Sequence, residues 1–321
     1  MKTYNLAWWN LENLFDVEDS PARTDKLKRT LGEELRGWTE TLLARKIAQL
    51  ARILRQLNGG RGPDLLGVCE VENRPVLERL VGALSGLGRD YAVAHHDTAD
   101  ERGIDVAFLY DRTRFTAEAQ FSHALQKRTA TRDLFQVNFR TASGRLLVVI
   151  GNHWPARTAG VYESEPYRMM AGETLSYFCQ RIEQIHGDDT PILAVGDFND
   201  EPSNRSLTDY ALSQRQRTNV LYARTPKLLN LMWPLMGQGL GTYYHDNEPA
   251  LLDQWLASGG ALKANARIKV VETSARIERF PEMTATGRYP APIRFGRPAN
   301  RSLNLNGFSD HFPITLTLTE A

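Results

Sequence analysis

Six polar clusters constrain the fold of this 321-residue chain more than any other feature. Five of them end apolar strand-like runs, and the sixth starts the last such run. They are Trp9-Asn10-Leu11-Glu12, Cys69-Glu70-Val71-Glu72-Asn73, Gly151-Asn152-His153-Trp154, Gly196-Asp197-Phe198-Asn199-Asp200, Leu252-Asp253-Gln254-Trp255 and Phe308-Ser309-Asp310-His311. Because they are spread over the whole chain, a fold that gathers their strand ends needs the first and last strands together. We therefore interpret residues 1–321 as one domain.

Short continuous apolar runs predict the strands, and such runs are typical of buried strands. The runs are 3–9, 64–71, 91–95, 105–110, 135–140, 146–152, 191–198, 251–258, 268–271 and 312–318. Helices are predicted over 39–57, 74–84 and 165–185, and from Asn204 onward, while the proline-rich stretch 279–306 indicates a long loop. Strands that alternate with helices indicate an α/β protein.

Charge is distributed unevenly along the chain. The formal net charge of +1 argues against a protein that holds nucleic acid by bulk electrostatics. Residues 261–301, however, contain nine Lys or Arg against three Glu. A solvated surface and a loop facing a polyanion remain open interpretations of this stretch. The second makes Arg294, Arg297 and Arg301 candidate substrate contacts.

No run approaches 18 apolar residues, and the N-terminus lacks the apolar region of a signal peptide. We therefore expect a cytoplasmic monomer without a transmembrane segment. The two cysteines, Cys69 and Cys179, do not indicate a disulfide scaffold. Cys69 is interpreted as a buried packing residue, although it lies beside Glu70.

Carboxylate and amide oxygens at four positions predict a metal site. Asn10, Glu12, Glu70 and Asp310 are hard oxygen donors of the kind that Mg²⁺ requires, with Mn²⁺ as the alternative ion. Zinc is disfavoured because no Cys or His pair has the local spacing of zinc ligands.

Two histidines and an aspartate–asparagine pair indicate phosphoryl chemistry. His153 and His311 lie at strand ends, where imidazolium groups could stabilise charge on a phosphodiester, and Asp253 is the candidate partner of His311. Asp197 and Asn199, two residues apart, would project on one side of an extended chain and could orient a water. The alternative is that this pair only caps a turn or a helix.

Taken together, the order and spacing of these motifs resemble the endonuclease/exonuclease/phosphatase superfamily, which includes pancreatic deoxyribonuclease, apurinic endonucleases, inositol polyphosphate 5-phosphatases and neutral sphingomyelinases. The resemblance implies a four-layer α/β sandwich of two mostly antiparallel mixed sheets flanked by helices. It places the active site at one rim of the sandwich.

The resemblance also implies roles for single residues. Glu70 matches the principal metal-ligand glutamate, with Asn10, Glu12 and Asp310 near the metal. His153 and His311 match residues that contact the scissile phosphate, Asp253 matches the partner of His311, and Asp197 with Asn199 matches the pair that aligns the attacking water. Arg102 and Asn152 are further candidate substrate contacts, although a plain surface position is the other interpretation of Arg102.

The leading functional hypothesis is a Mg²⁺-dependent phosphodiesterase, a nuclease acting on DNA or RNA by in-line attack of water. The second is a phosphatase or a phospholipase C-like enzyme that acts on inositol phosphates or sphingomyelin-type lipids. The third is an inactive binding module, which the intact motifs disfavour. The insert 228–244 is interpreted as core filling rather than as a platform for stacking bases.

Overall fold

The structure is a computed structural model that describes residues 1–127, 129–298 and 303–321. Its strands are β1 Lys2–Leu14, β2 Leu65–Val71, β3 Tyr91–His95, β4 Asp105–Asp111, β5 Phe115–His123, β6 Leu134–Thr141, β7 Leu146–His153, β8 Ile192–Asp197, β9 Ser213–Gln214, β10 Leu228–Asn230, β11 Tyr243–His245, β12 Glu248–Ala250, β13 Asp253–Ser258, β14 Ile268–Val270, β15 Arg276–Ile277 and β16 Ile314–Glu320. Its α-helices are α1 Asp25–Leu31, α2 Glu40–Leu54, the single turn α3 Leu57–Gly60, α4 Arg74–Ala83, α5 Val161–His186 and α6 Arg217–Leu221.

Fourteen of the sixteen strands in the described ranges form two seven-stranded sheets, and β11 and β12 form a separate hairpin. The first has the order β14-β16-β1-β2-β4-β3, with β15 paired to β16, and the second has the order β5-β6-β7-β8-β13-β10-β9. Neighbouring strands are antiparallel except in the pairs β1–β2, β7–β8 and β9–β10. The first and last long strands, β1 and β16, are neighbours. The prediction of two mostly antiparallel mixed sheets is confirmed.

The sheets pack face to face, and helices cover their outer faces. Trp8 and Phe108 from the first sheet share a buried core with Val149 and Trp255 from the second. There is no room for a side chain at Gly151, where an added Cβ would lie 2.5 Å from Val106 Cγ1 of the facing sheet. This close approach keeps the two sheets in contact near the rim that bears the polar clusters.

Helices α2 and α4 cover the first sheet, and α5 covers the second. Leu50 of α2 and Leu77 of α4 pack with Trp9 of β1, whereas Leu175 of α5 packs with Ala194 of β8. The order of layers is therefore helix, sheet, sheet, helix, as the sequence resemblance implies. No helix in the described ranges is both long and apolar enough to cross a membrane.

Helix boundaries follow local sequence signals. The side chain of Thr39 caps α2 by accepting a hydrogen bond from Leu42 N, and the helix gives way to Asn58 and Gly59, whose φ angles of 54° and 62° are left-handed. The helix predicted to start near Asn204 is present only as a five-residue π-helical turn, Ser206–Tyr210.

Strand β5 was not predicted because its residues alternate between buried and exposed and give no continuous apolar run. The insert 228–244 contributes β10 and the buried Met232 to the core, as expected, but its end carries Tyr243 toward the polar rim. In the described part of 279–306 the chain is irregular apart from one turn at Pro281–Met283, so the predicted loop is confirmed.

Candidate active site

The sheet registers gather the polar clusters at one rim of the sandwich. His153 of β7 and Asp253 of β13 both pair with Asp197 of β8, one on each side. In the first sheet, Asn10 of β1 pairs with Cys69, the residue before Glu70. Residues far apart in sequence thus become neighbours because the strands that carry them end at the same level.

Left-handed backbone conformations occur where these strands end. Glu12, Asn13, Glu70 and Asn199 have φ angles of 52°, 56°, 59° and 49°, and they are four of the eight non-glycine residues with positive φ in the described ranges. The pairing registers of β1 and β2 shift at the same places. Such conformations are costly for residues with a Cβ and cluster at functional sites, because they redirect side chains that a regular strand would send elsewhere.

His311 and Asp253 form a buried ion pair. The Nδ1 atom of His311 lies 2.7 Å from Asp253 Oδ2, and Trp8 Nε1 donates to Asp253 Oδ1 at 3.0 Å. Burial by itself lowers the pKa of His311, but the charges of Asp253 and Asp197 outweigh it and raise that pKa well above its usual value. The structure therefore favours a charged imidazole whose Nε2 faces the rim.

Asp197 lies at the centre of the site. Its Oδ1 accepts a hydrogen bond from Asn199 N at 2.9 Å, and its Oδ2 accepts one from Asn10 Nδ2 at 3.1 Å. The same Oδ2 is 3.8 Å from His311 Nε2 and 3.9 Å from His153 Nε2. Burial raises the pKa of Asp197 to about 6, which suits a group that exchanges protons near neutral pH.

Arg132, a residue that the sequence interpretation missed, lies beside His153. Its Nη2 is 3.2 Å from His153 Nε2 and donates to Trp154 O at 3.1 Å, while its guanidinium is almost fully buried. Burial, and then the charge of Arg132, lower the pKa of His153 well below its usual value. Arg132 simply precedes β6 in the sequence, so no local motif could have revealed it.

Three carboxylates, Glu12, Glu70 and Asp310, lie on the side of the first sheet, near enough for the charges of the first two to act on the third. His153 Nε2 is 3.7 Å from Glu70 Oε1, and Asn13 N donates to Glu70 Oε2 at 2.9 Å. Burial, followed by the charges of Glu12 and Glu70, raises the pKa of Asp310 to about 7. Buried or partly buried carboxylates that repel one another in this way are a fitting donor set for a hard divalent cation.

Glu12 differs from the other two carboxylates because both of its oxygens are engaged. Oε1 accepts a hydrogen bond from Arg294 Nε at 2.8 Å, and Oε2 accepts bonds from Phe295 N and Gly296 N at 3.0 and 3.2 Å. The Nζ atom of the buried Lys46 donates a hydrogen bond to the backbone oxygen of Glu12. Glu12 thus ties the segment 294–296 to β1, and its predicted role as a metal ligand stays a prediction.

The predicted substrate arginines differ in position. Arg102 donates to Asn13 Oδ1 at 2.8 Å and helps to lower the pKa of Glu70 against the effect of burial, so it lies at the rim. Arg294 contacts Glu12 and also lies 3.4 Å from Asp310 Oδ2, which places it among the predicted metal ligands. Arg297 is exposed, and Arg301 lies outside the described residues.

Two predictions for asparagines need correction. Asn152 is fully buried, its amide donates to Ile150 O and Val195 O, and its Oδ1 accepts from Trp154 Nε1, so it holds strands together and does not face a substrate. Asn199 does not continue an extended chain from Asp197, because β8 ends at Asp197 and the Asn199 side chain turns to donate to Trp154 O. Its backbone N–H, not its side chain, contacts Asp197.

Two acidic side chains outside the predicted site, Glu72 and Asp64, are buried in ion pairs. Glu72 forms an ion pair with Arg23 at 2.6 Å, and Asp64 one with Arg89 at 2.5 Å.

Tyr243 is a second missed rim residue: its ring centroid lies 4.9 Å from that of His311, and it is half-buried. Tyr243 is the first residue of the small β11–β12 hairpin, and the Oγ1 atom of Thr242, just before it, accepts a hydrogen bond from Asp253 N.

Comparison with known proteins agrees with this architecture. A sequence profile of the Endonuclease/Exonuclease/phosphatase family matches residues 5–320. Among solved structures, a mannosyl-6-phosphatase from Bacteroides thetaiotaomicron is 15% identical, with a TM-score of 0.57 and coverage of 98% of this chain and 99% of that one.

Two further structures show the same fold. Humanized TDP2 from D. rerio is 12% identical, with a TM-score of 0.57 and coverage of 99% of each chain. The human nocturnin catalytic domain with bound sulfate is 16% identical, with a TM-score of 0.51 and coverage of 99% of this chain and 95% of that one. No sequence among curated proteins matches the chain.

Proposed function

This chain belongs to the Endonuclease/Exonuclease/phosphatase family, and we propose that it is a divalent-metal-dependent phosphoesterase, more narrowly a Mg²⁺-dependent nuclease with one catalytic domain over residues 1–321. The substrate would be a phosphodiester bond of DNA, with RNA as the alternative. One observation carries the proposal: Asp197 Oδ2 lies 3.8 Å from His311 Nε2 and 3.9 Å from His153 Nε2, and the latter nitrogen is 3.7 Å from Glu70. These four side chains lie close together, and the proposal makes Asp197 the base, His311 a phosphate-binding group and Glu70 a metal ligand, with His153 beside them.

Asp197 is the proposed general base. Its carboxylate is held by Asn10 Nδ2 and Asn199 N and takes a proton from the water that attacks phosphorus in line with the leaving oxygen. The P–O bond to water forms as the bond to the leaving group breaks. Asn199 contributes through its backbone, by fixing one oxygen of Asp197.

His311 and Arg132 are the proposed cationic partners of the non-bridging oxygens, and His153 is a neutral imidazole whose Nε2 accepts from Arg132 beside them. The His311 imidazolium, oriented by Asp253, places positive charge where negative charge develops. Arg132 adds a guanidinium beside His153 in a buried setting, where such charge acts strongly. Arg102 is a further candidate at the same edge.

Glu70 and Asp310 would hold the divalent ion, with Asn10 and Glu12 next to them. Asp310 is partly buried near the other carboxylates, whose charges raise its pKa, and bound positive charge would relieve that repulsion. A divalent ion bound there supplies charge stabilisation to the phosphoryl oxygens. Mg²⁺ fits because it binds through one or two carboxylates together with water and substrate phosphate, and Mn²⁺ is the alternative.

A phosphomonoesterase is the second candidate function. Despite burial, the charges of Arg102, His311, Arg297 and Arg132 together lower the pKa of Glu70, so this edge of the site carries three arginine charges besides the histidines. That charge would suit the dianion of a terminal phosphate. The nuclease proposal instead draws support from the exposed Arg297 and the half-buried Tyr243, which offer a phosphate contact and a stacking surface near the rim.

A substrate panel separates these candidates. Plasmid DNA, linear duplex, single-stranded DNA, RNA, sugar phosphates, inositol phosphates and sphingomyelin vesicles would each be incubated with Mg²⁺, Mn²⁺ or EDTA. Metal-dependent cleavage of a polynucleotide supports the nuclease. Release of inorganic phosphate from monoesters alone would replace the nuclease with the phosphatase, and no metal-dependent hydrolysis of any substrate would overturn both.

We expect activity to fall in acid with a midpoint near pH 6. Asp197 must be a carboxylate to accept a proton, and burial raises its pKa to about 6, so lowering the pH below that value protonates the base. The measurement is kcat/KM against pH on a small phosphodiester, which reports groups of the free enzyme. An acid limb near the usual carboxylate pKa, about 4, would contradict Asp197 as the base.

Arg297→Ala should selectively weaken the binding of long polynucleotide substrates. If Arg297 contacts a flanking phosphate, its loss raises KM on a polynucleotide and reduces the slope of log KM against log salt by about 0.7 to 0.9. Hydrolysis of bis(p-nitrophenyl) phosphate, which has no flanking phosphate, should stay nearly unchanged. The matched control is Arg276→Ala, another exposed arginine, which pairs with Glu278. An unchanged salt slope would remove Arg297 from the substrate path.

A further inference from the structure

Arg294 contacts two of the three predicted metal-site carboxylates, Glu12 and Asp310. Its Nε is 2.8 Å from Glu12 Oε1, and its Nη2 is 3.4 Å from Asp310 Oδ2, so one guanidinium bridges both groups. The Glu12 side chain is fully buried, whereas the Arg294 side chain is 51% exposed. The cation therefore enters the cluster from the solvent side.

Glu12 does not depend on Arg294 for its position. Phe295 N and Gly296 N both donate to Glu12 Oε2, and Asn10 Oδ1 accepts a hydrogen bond from Glu12 N. Lys46 holds Glu12 O from the buried side. Removing the guanidinium would take one positive charge from the cluster and leave the glutamate anchored by the backbone.

A fixed guanidinium and a metal ion attract the same carboxylates and repel each other. Asp310 Oδ2 is a predicted metal-ligand oxygen, and a cation 3.4 Å from it opposes any divalent ion that shares that oxygen. We propose that Arg294 is a resident cation that sets the metal affinity of the Glu12–Glu70–Asp310 cluster by weakening divalent-ion binding. This inference rests on the proposed function, because it takes the cluster as the metal site.

The Mg²⁺ affinities of Arg294 variants distinguish a competing cation from a residue that merely positions Asp310. If Arg294 chiefly positions Asp310, every substitution weakens metal binding. If it competes through its charge, the neutral Arg294→Gln binds Mg²⁺ more tightly, while Arg294→Lys, which keeps the charge, stays close to the wild type. Since the arginine is half exposed and its charge is partly screened, we expect about tenfold tighter binding in the glutamine variant.

The test is calorimetric titration of the full chain with Mg²⁺ and with Mn²⁺. Wild type, Arg294→Gln, Arg294→Lys and the distant control Arg276→Gln would be compared, with circular dichroism to verify folding. We expect tighter binding only in Arg294→Gln. Melting temperatures supply a second readout, because without metal Arg294→Gln should melt below the wild type and should gain more from saturating Mg²⁺.

Equal or weaker affinity in a folded Arg294→Gln overturns the inference. If that variant does not fold, the wild type is tested by NMR. Mg²⁺ should shift the signal of the Arg294 Nε–H group toward that of a free arginine. An unchanged signal at metal saturation overturns the inference. A wild type that binds no divalent ion contradicts the proposed function itself. A wild type that binds the ion through Glu70 without any effect of Arg294 contradicts the inference alone.

Discussion

Glu70→Ala is expected to abolish turnover, by about a thousandfold or more, while leaving the fold intact. Glu70 is the carboxylate that lies 3.7 Å from His153 and carries a left-handed backbone, and a magnesium site of one or two carboxylates does not survive the loss of one. The measurement pairs kcat/KM at millimolar Mg²⁺ with calorimetric Mg²⁺ affinity. Both should collapse together.

The matched control is Glu78→Ala, which removes an exposed glutamate of α4 shortly after the same strand. It should leave activity and metal affinity as in the wild type. Unchanged metal affinity in Glu70→Ala would show that Glu70 is not a ligand, even if activity fell.

His311→Ala and Asp253→Ala are each expected to reduce kcat/KM by about 10² to 10⁴, and the double variant should be little worse than either. The two side chains meet at 2.7 Å in a buried setting, and the Asp253 charge keeps His311 protonated by raising its pKa. Each variant therefore removes the same oriented imidazolium. Groups that act as one unit give non-additive losses.

Asp253→Asn refines this cycle. The amide keeps a side chain next to Trp8 Nε1 and the shape of the pair but removes the charge. A large loss in this variant assigns the effect to charge, whereas a small loss assigns it to packing. If the losses of the two alanine variants multiply in the double variant, the residues act independently and the pair has no common role.

The sequence predicted the sheets and the rim because two local sequence signals mark them. An apolar run indicates a buried strand, and the polar residues that end the run indicate where the strand leaves the core. Apolar runs ending in Asp197 or His153 indicate a buried strand and its exit from the core without reference to the partner strand. The resemblance then supplied the two-sheet sandwich and the single rim at which these strand ends meet. Strand β5, with alternating exposure at the sheet edge, gave no such run and was missed.

The contacts that depend on tertiary packing could not be predicted in the same way. Arg132 reaches His153 only because β6 and β7 pair, and Tyr243 reaches His311 through a hairpin outside the two main sheets. Asn152 is a polar residue at a strand end like the others, yet its side-chain amide donates hydrogen bonds to backbone oxygens of β7 and β8. Polar residues at a strand end thus reveal a rim, but not which of them turn inward.

Metal dependence tests the central claim most directly, that the Glu70–Asp310 edge and the Asp197–His311 edge form one phosphoesterase centre. Chain freed of metal with EDTA would be titrated with Mg²⁺ while hydrolysis of bis(p-nitrophenyl) phosphate is followed, and the activation midpoint compared with the calorimetric affinity. We expect no activity without metal, activation at the midpoint of binding, and an Asp197→Asn variant that binds Mg²⁺ but does not turn over. Full activity in EDTA, or activity that survives in Asp197→Asn, would contradict the claim.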